Sequence, residues 1–226
     1  MKIAVLGTGV VGRALAGRLA ELGHDVVVGT RDVAATLSRT EPGPYGGPTF
    51  AEWASDNPRV GLDTYPAAVV GAELVVNATS GAASLEVLRA AGEDALAGVV
   101  LLDIANPLDF SQGFPPSLFV KDTDSLAEQI QAALPRTRVV KALNTLGSDL
   151  MVRPRELADG AHTVFVSGDD AHAKATVTGL LTSFGHTDVV DLGDITTARG
   201  TEMLLPLWLR LFGALGTAAF NLKVVR

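Results

Sequence analysis

Cysteine is absent from the 226-residue chain. That excludes a disulfide framework, a thiolate metal site and thiol redox chemistry, so any reductase activity must run through a diffusible or bound cofactor. Basic residues are in deficit: 18 Lys and Arg stand against 25 Asp and Glu, a formal net charge of −7. A nucleic-acid surface is not expected from that balance. Long apolar runs are missing too, although mean hydropathy is positive. The most apolar stretch, residues 203–222, is broken by Pro206, Arg210, Gly213 and Gly216. No window approaches the roughly 20 uninterrupted apolar residues of a spanning helix. The first apolar run, Ile3 to Gly7, is too short for a secretory core and leads straight into a glycine loop. A soluble, cytoplasmic chain with no membrane partner is the expectation. His162 and His172 show no metal-ligand spacing, so no metal is expected.

What is present is a rhythm of short apolar runs and Ala/Leu-rich stretches. Strands are predicted at Lys2–Leu6, 25–29, 74–78, 99–104 and 139–143, with helices at 11–22, 82–91 and 124–134. Runs buried on both faces and separated by helices indicate a parallel sheet with crossover connections. The fold class is therefore α/β, a Rossmann-type doubly wound sheet. Residues 41–49 and 106–117 are rich in Gly and Pro and read as loops; the second follows a strand's carboxyl end, where such sheets bind ligands. Strand 163–167, helix 172–184 and strand 188–191 follow, then an apolar helix from about Thr201, expected in the core or a subunit interface. His24 and His186 each follow a glycine between a helix and a strand, where Gly supplies a left-handed cap. One domain is expected, with residues 1–158 as the dinucleotide-binding core and 159–226 as a C-terminal extension.

Gly7-Thr8-Gly9-Val10-Val11-Gly12 matches G-x-G-x-x-G after a strand and before a helix. Gly7 allows the tight turn, Gly9 admits the pyrophosphate, and Gly12 lets helix and strand pack closely. The helix amino terminus then meets the phosphate charge. Asp32, twenty residues after Gly12, sits where an NAD-binding carboxylate is often counted. The apolar run 26–28 ends at Gly29, however, so the slot beside the ribose falls to Thr30 and Arg31. A hydroxyl followed by a guanidinium suits a 2′-phosphate, favouring NADP. Asp32 fits better as the N-cap of a helix starting at Val33.

The Gly7–Gly12 loop, Gly29-Thr30-Arg31-Asp32, Val139-Val140-Lys141-Ala142-Leu143-Asn144-Thr145, Gly168-Asp169-Asp170 and residues 191–202 together resemble the F420-dependent NADP reductases. The resemblance spans nearly the whole chain. It implies hydride transfer between NADP(H) and coenzyme F420, an 8-hydroxy-5-deazaflavin, by a homodimer whose C-terminal region helps form the deazaflavin pocket. It also implies that Thr30 and Arg31 hold the 2′-phosphate, that Ala78, Thr79 and Ser80 lie beside the nicotinamide ribose, and that the rings meet at Asn144-Thr145-Leu146. The chain departs from archaeal members at Lys141 and Asn144. The run 139–145 also resembles the cytosolic reductase domains of six-transmembrane metalloreductases, which bind NADPH and a flavin, so deazaflavin and flavin both stand as acceptors.

Transfer between two flat rings needs stacking and exclusion of water, not a strong acid. Reduction of a carbonyl or imine needs a proton donor beside the developing charge, and Lys141 at a strand's carboxyl end is the candidate. A lysine that packs its stem and reaches solvent or a phosphate is the competing reading. Asp103 and Asn106 could orient a ring or cap the loop after the fifth strand. Arg199 could meet an anionic tail, or lie on an ordinary surface. Trp208 and Phe212, four residues apart, read as core or interface packing. A non-catalytic NADP(H) sensor is the reading of a different class.

Overall fold

The computed structural model describes residues 1–42 and 47–226. Its main sheet has eight strands in the order β3-β2-β1-β4-β5-β8-β9-β10. These are β1 (Lys2–Leu6), β2 (Asp25–Thr30), β3 (Val60–Thr64), β4 (Leu74–Asn77), β5 (Val100–Asp103), β8 (Arg138–Ala142), β9 (Thr163–Ser167) and β10 (Asp188–Gly193). A two-stranded hairpin of β6 (Leu108–Asp109) and β7 (Ser117–Leu118) stands apart. The first six strands of the sheet run parallel, as a Rossmann-type fold requires.

The helices are α1 (Val10–Glu21), α2 (Val33–Leu37), α3 (Phe50–Asp56), α4 (Tyr65–Val69), α5 (Gly81–Ala91), α6 (Leu126–Ala133), α7 (Ser148–Val152), α8 (Ala171–Phe184), α9 (Ala198–Met203) and α10 (Leu205–Leu215). They cover both faces of the sheet. Ile3 and Val5 pack in one buried cluster with Leu15 and Leu19 of α1. Ala4 and Leu6 point the other way, into a cluster with Val87 and Leu88 of α5 and Ile130 of α6. Two apolar faces per strand explain the continuous apolar runs, because neither face meets water.

The helix ends follow the glycines. His24 N–H reaches the Leu19 carbonyl behind Gly23 (φ +84°), and His186 N–H reaches the Leu181 carbonyl behind Gly185 (φ +110°). Both are six-to-one closures with a left-handed glycine.

Four expectations are corrected. Strand β3 and helices α3 and α4 lie where no element was predicted. Strand β9 pairs antiparallel to β8 through only Lys141↔Ser167 and Ala142↔Val166, so the sheet is mixed at its far edge. The loop 106–117 contains the β6–β7 hairpin. The final apolar helix is two helices broken near Pro206, and of α10 only Leu205 and Leu209 are buried among the described residues; Leu207 and Leu215 are half exposed. Loop 41–49 lies partly on residues 43–46, outside the described residues; among the others no helix or strand forms before α3. No helix among the described residues is long and apolar enough to cross a membrane.

Candidate active site

The glycine loop is built as tightly as its sequence suggests. Gly7 has φ +126°, and a Cβ there would meet the Ala78 carbonyl oxygen at 2.5 Å. A Cβ on Gly12 would stand 2.1 Å from the Gly7 carbonyl oxygen. Above Gly9 a Cβ would meet nothing within 4 Å among the described residues, so the outer side of the turn is open. Helix α1 begins here with no side-chain cap and no acidic residue in its first turn. Its free amides, with Thr8 and Gly9 before them and Val10, Val11 and Gly12 among them, form a ready cradle for an anion.

At the end of β2 the predicted pair separates into two roles. Thr30 is buried, and its hydroxyl lies 2.7 Å from the Thr36 hydroxyl. Arg31 projects outward, 75% exposed, with Glu86 of α5 at 3.8 Å. The Asp32 carboxylate accepts the Ala35 amide at 2.9 Å and caps α2. It is committed to the backbone rather than to a ribose.

A cavity of about 920 Å³ opens at the carboxyl ends of β4, β5 and β8. One wall continues the dinucleotide path through Val11, Ala78, Thr79 and Ser80, then Ala105 and Asn106. The other is apolar: Phe110, Phe114 and Phe119 around the hairpin, Met151, and Leu205, Trp208 and Leu209 of α10. Asn144 and Leu146 lie between the walls. Asn144 donates to Asn106 Oδ1 at 3.1 Å and to the Thr201 carbonyl at 3.0 Å, while Asn106 donates back to the Asn144 carbonyl at 2.9 Å. Leu143, just before, is held at φ +62°, a conformation that a bulky side chain rarely adopts.

Lys141 does not line this cleft. It is 1% exposed, and its ammonium lies 2.8 Å from Asp103 and 2.9 Å from Glu202, with the Ala105 carbonyl as a third partner. Burial pushes a lysine down, but the Asp103 and Glu202 carboxylates outweigh it and hold Lys141 above the ordinary lysine range. A proton so held is not available to a substrate, so the proton-donor expectation is corrected on geometry. Thr145 is also buried and off the cleft wall. Arg199 is engaged by a two-pronged contact with Glu128.

The similarity of known proteins agrees with this anatomy. Residues 2–107 match the family described as NADP oxidoreductase, coenzyme F420-dependent. A protein from Arthrobacter sp. FB24, named for F420-dependent NADP reduction, is 61% identical over 100% of both chains, with a TM-score of 0.96. The chain belongs to the F420-dependent NADP oxidoreductase family. The F420-dependent NADP reductase of Methanothermobacter marburgensis is 28% identical over 93% of this chain and 92% of its own. The metalloreductase STEAP3 of Rattus norvegicus is 31% identical over 92% of this chain, which spans only 38% of that protein's length.

Membership makes the protein an NADP-dependent oxidoreductase, and the open cradle above Gly9 and the uncapped α1 amides fit the dinucleotide. Ala78, Thr79, Ser80, Asn106 and Asn144, expected at the ligand site from the sequence, lie on this cleft, and so does Trp208, expected only to pack. Trp208 does stack on Phe212, with centroids 5.7 Å apart, yet it also faces the cavity. Three phenylalanines in a Gly/Pro-rich loop after β5 were the available signal for the aromatic wall. Nothing in local spacing pairs Lys141 with Asp103 or Glu202, which lie 38 and 61 residues away. Among the described residues no cluster of three potential metal ligands occurs.

Proposed function

We propose that this oxidoreductase passes a hydride between NADP(H) and a deazaflavin, coenzyme F420, in the cytoplasm and as a homodimer. The observation that carries the reading is a ring-sized aromatic cleft, joined to the nicotinamide wall, with no lysine, histidine or tyrosine among its described lining residues. Among the described residues its one charged lining group is Asp109, whose carboxyl the Ser111 backbone amide holds below the usual range. Asp109 is thus ionised at neutral pH and cannot act as an acid. Hydride transfer between stacked rings needs none, whereas a carbonyl or imine would.

In this reading the loop residues Gly7 to Gly12 take the pyrophosphate on backbone amides, and Arg31 takes the 2′-phosphate. Thr79, Ser80 and Asn106 border the nicotinamide end. The bound deazaflavin supplies a two-electron acceptor carbon. Phe110, Phe114, Phe119 and Trp208 exclude water and offer flat faces, and Asn144 sets the floor between the two rings. The apolar outer face of α10, with Leu207 and Leu215 half exposed, is covered by a second copy. Sedimentation of the wild type and of Leu207→Glu tests that contact; a monomeric wild type removes it.

The decisive experiment mixes NADPH-loaded protein anaerobically with F420 in a stopped-flow instrument. Rapid loss of deazaflavin absorbance supports the reading. Oxidation only by riboflavin or its phosphates moves the acceptor to flavins, and oxidation only by cyclic imines or ketones removes ring-to-ring transfer.

A further inference from the structure

The group of buried charges around Lys141 lies off the cleft lining, yet it joins the cleft's two walls. Asp103 Oδ1 accepts from Asn77 at 2.8 Å and from the Ala105 amide at 3.3 Å. Asn77 in turn accepts from the Thr79 hydroxyl at 2.7 Å. Thr79 and Ala105 are cleft residues on the dinucleotide side. On the other side of Lys141, Glu202 is 1% exposed and accepts the Leu126 and Ala127 amides at 2.8 and 3.1 Å, closing the amino end of α6. Glu202 belongs to α9, which Leu204 alone separates from α10 and its cleft residues Leu205, Trp208 and Leu209. A second tie reaches the same helix, from Asn144 to the Thr201 carbonyl.

A buried ion pair of this kind is weak evidence for stability, since apolar residues of similar volume often do as well; fixing one arrangement is its better-attested use. Lys141 touches β5 through Asp103, the strand-to-loop turn through Ala105, and α9 through Glu202. We infer that Asp103, Lys141 and Glu202 form a clamp that sets the separation of the nicotinamide wall from the α10 wall, making Lys141 a positioning residue for hydride transfer. Lys141 touches no reacting atom. Its effect passes through Thr79 and Ala105 on one side and through α9 on the other. Separation matters because ring-to-ring transfer is lost steeply when the rings part, with about 1 Å of misplacement worth as much as a hundredfold.

The inference rests on the cleft being the nicotinamide site and not on the identity of the acceptor, and its test keeps the two apart. Glu202→Gln and Asp103→Asn keep side-chain volume while weakening the clamp; Lys141→Met removes its centre and serves as a third variant if it folds. Three quantities are read: NADPH affinity, the emission lifetime of bound nicotinamide, and the single-turnover rate with F420. The phosphate and adenosine contacts at Gly7–Gly12 and Arg31 lie outside the clamp, so the NADPH Kd is expected to stay within about threefold. The lifetime should shorten as the ring loosens, and the hydride-transfer rate should fall by about tenfold or more.

Cooperatively folded Glu202→Gln and Asp103→Asn proteins with wild-type lifetime and rate overturn the clamp. Loss of affinity in step with loss of melting temperature also overturns it, since that marks general destabilisation. If the wild type binds NADPH but does not react with F420, the acceptor assignment fails while a shortened lifetime in the variants still supports the clamp. If NADPH shows no bound emission even in the wild type, the nicotinamide site and the clamp fall together.

Discussion

Replacing Arg31 with alanine separates cofactor choice from fold stability. Arg31 is 75% exposed, and the Glu86 carboxylate lies at 3.8 Å with 76% exposure. Such a pair contributes about 0–1 kcal/mol, so its loss should leave melting nearly unchanged. The neighbouring Thr30 hydroxyl lies against Thr36 in the interior, and Asp32 caps α2. In the proposed reading Arg31 is the cation that meets the 2′-phosphate at this strand end. A hydrogen bond to a charged group is worth about 1.5–3 kcal/mol. At about 1.4 kcal/mol per decade, Arg31→Ala should weaken NADPH binding roughly 10- to 150-fold. NADH lacks the phosphate, so its affinity should stay within about twofold of wild type. Fluorescence titration of both dinucleotides at one fixed ionic strength provides the comparison, because salt screens an exposed contact. Equal losses for NADPH and NADH would refute the assignment, as would a wild type that prefers NADH.

Three more outcomes follow from the same geometry. Gly12→Ala puts a Cβ 2.1 Å from the Gly7 carbonyl oxygen and should abolish measurable NADPH binding or folding; a soluble variant with wild-type affinity contradicts the packing. Trp208→Ala opens the apolar wall and should lower kcat/KM for the acceptor by about tenfold, the scale of a lost aromatic contact of 1–1.5 kcal/mol, while leaving NADPH Kd unchanged. His186 is 3% exposed, and burial pushes its pKa down to about 4 from the ordinary 6.5. The unfolded chain then takes the proton first on acidification. Stability is full above about pH 6.5 and declines as pH falls towards 4, by up to about 3 kcal/mol. Urea unfolding across that window should show a shallower decline in His186→Gln, and equal slopes would exclude His186 as the cause.

The dinucleotide half was legible because its determinants are local. A glycine loop between an apolar run and a helix, an Asp three residues before the amide it caps, and Gly-His pairs at helix ends are all short-range signals. Strand β3 was not, since Val60, Gly61, Leu62, Asp63 and Thr64 alternate on a sheet edge and lack the continuous apolar run of the central strands. The direction of β9 escaped as well. Its Val164 and Val166 are buried like those of a parallel strand, and chain reversal is decided by the connection after α7 rather than by composition. The role of Lys141 is hidden from the sequence for the opposite reason. Its place at a strand's carboxyl end is real, but the two carboxylates that hold it arrive from distant segments. Trp208 shows that packing and lining are not exclusive roles for one side chain.

The fastening of α2 to β2 bears on the kinetics of recognition. Asp32 caps the helix through its side chain, and the Thr36 hydroxyl lies against Thr30 and donates back to the Asp32 carbonyl at 2.8 Å. The turn that carries Arg31 is thereby shaped before any dinucleotide arrives. A docking surface that need not be ordered on arrival spends little binding energy on its own immobilisation. NADPH and NADH should then associate at similar rates, and the protein's preference should reside in how long each stays.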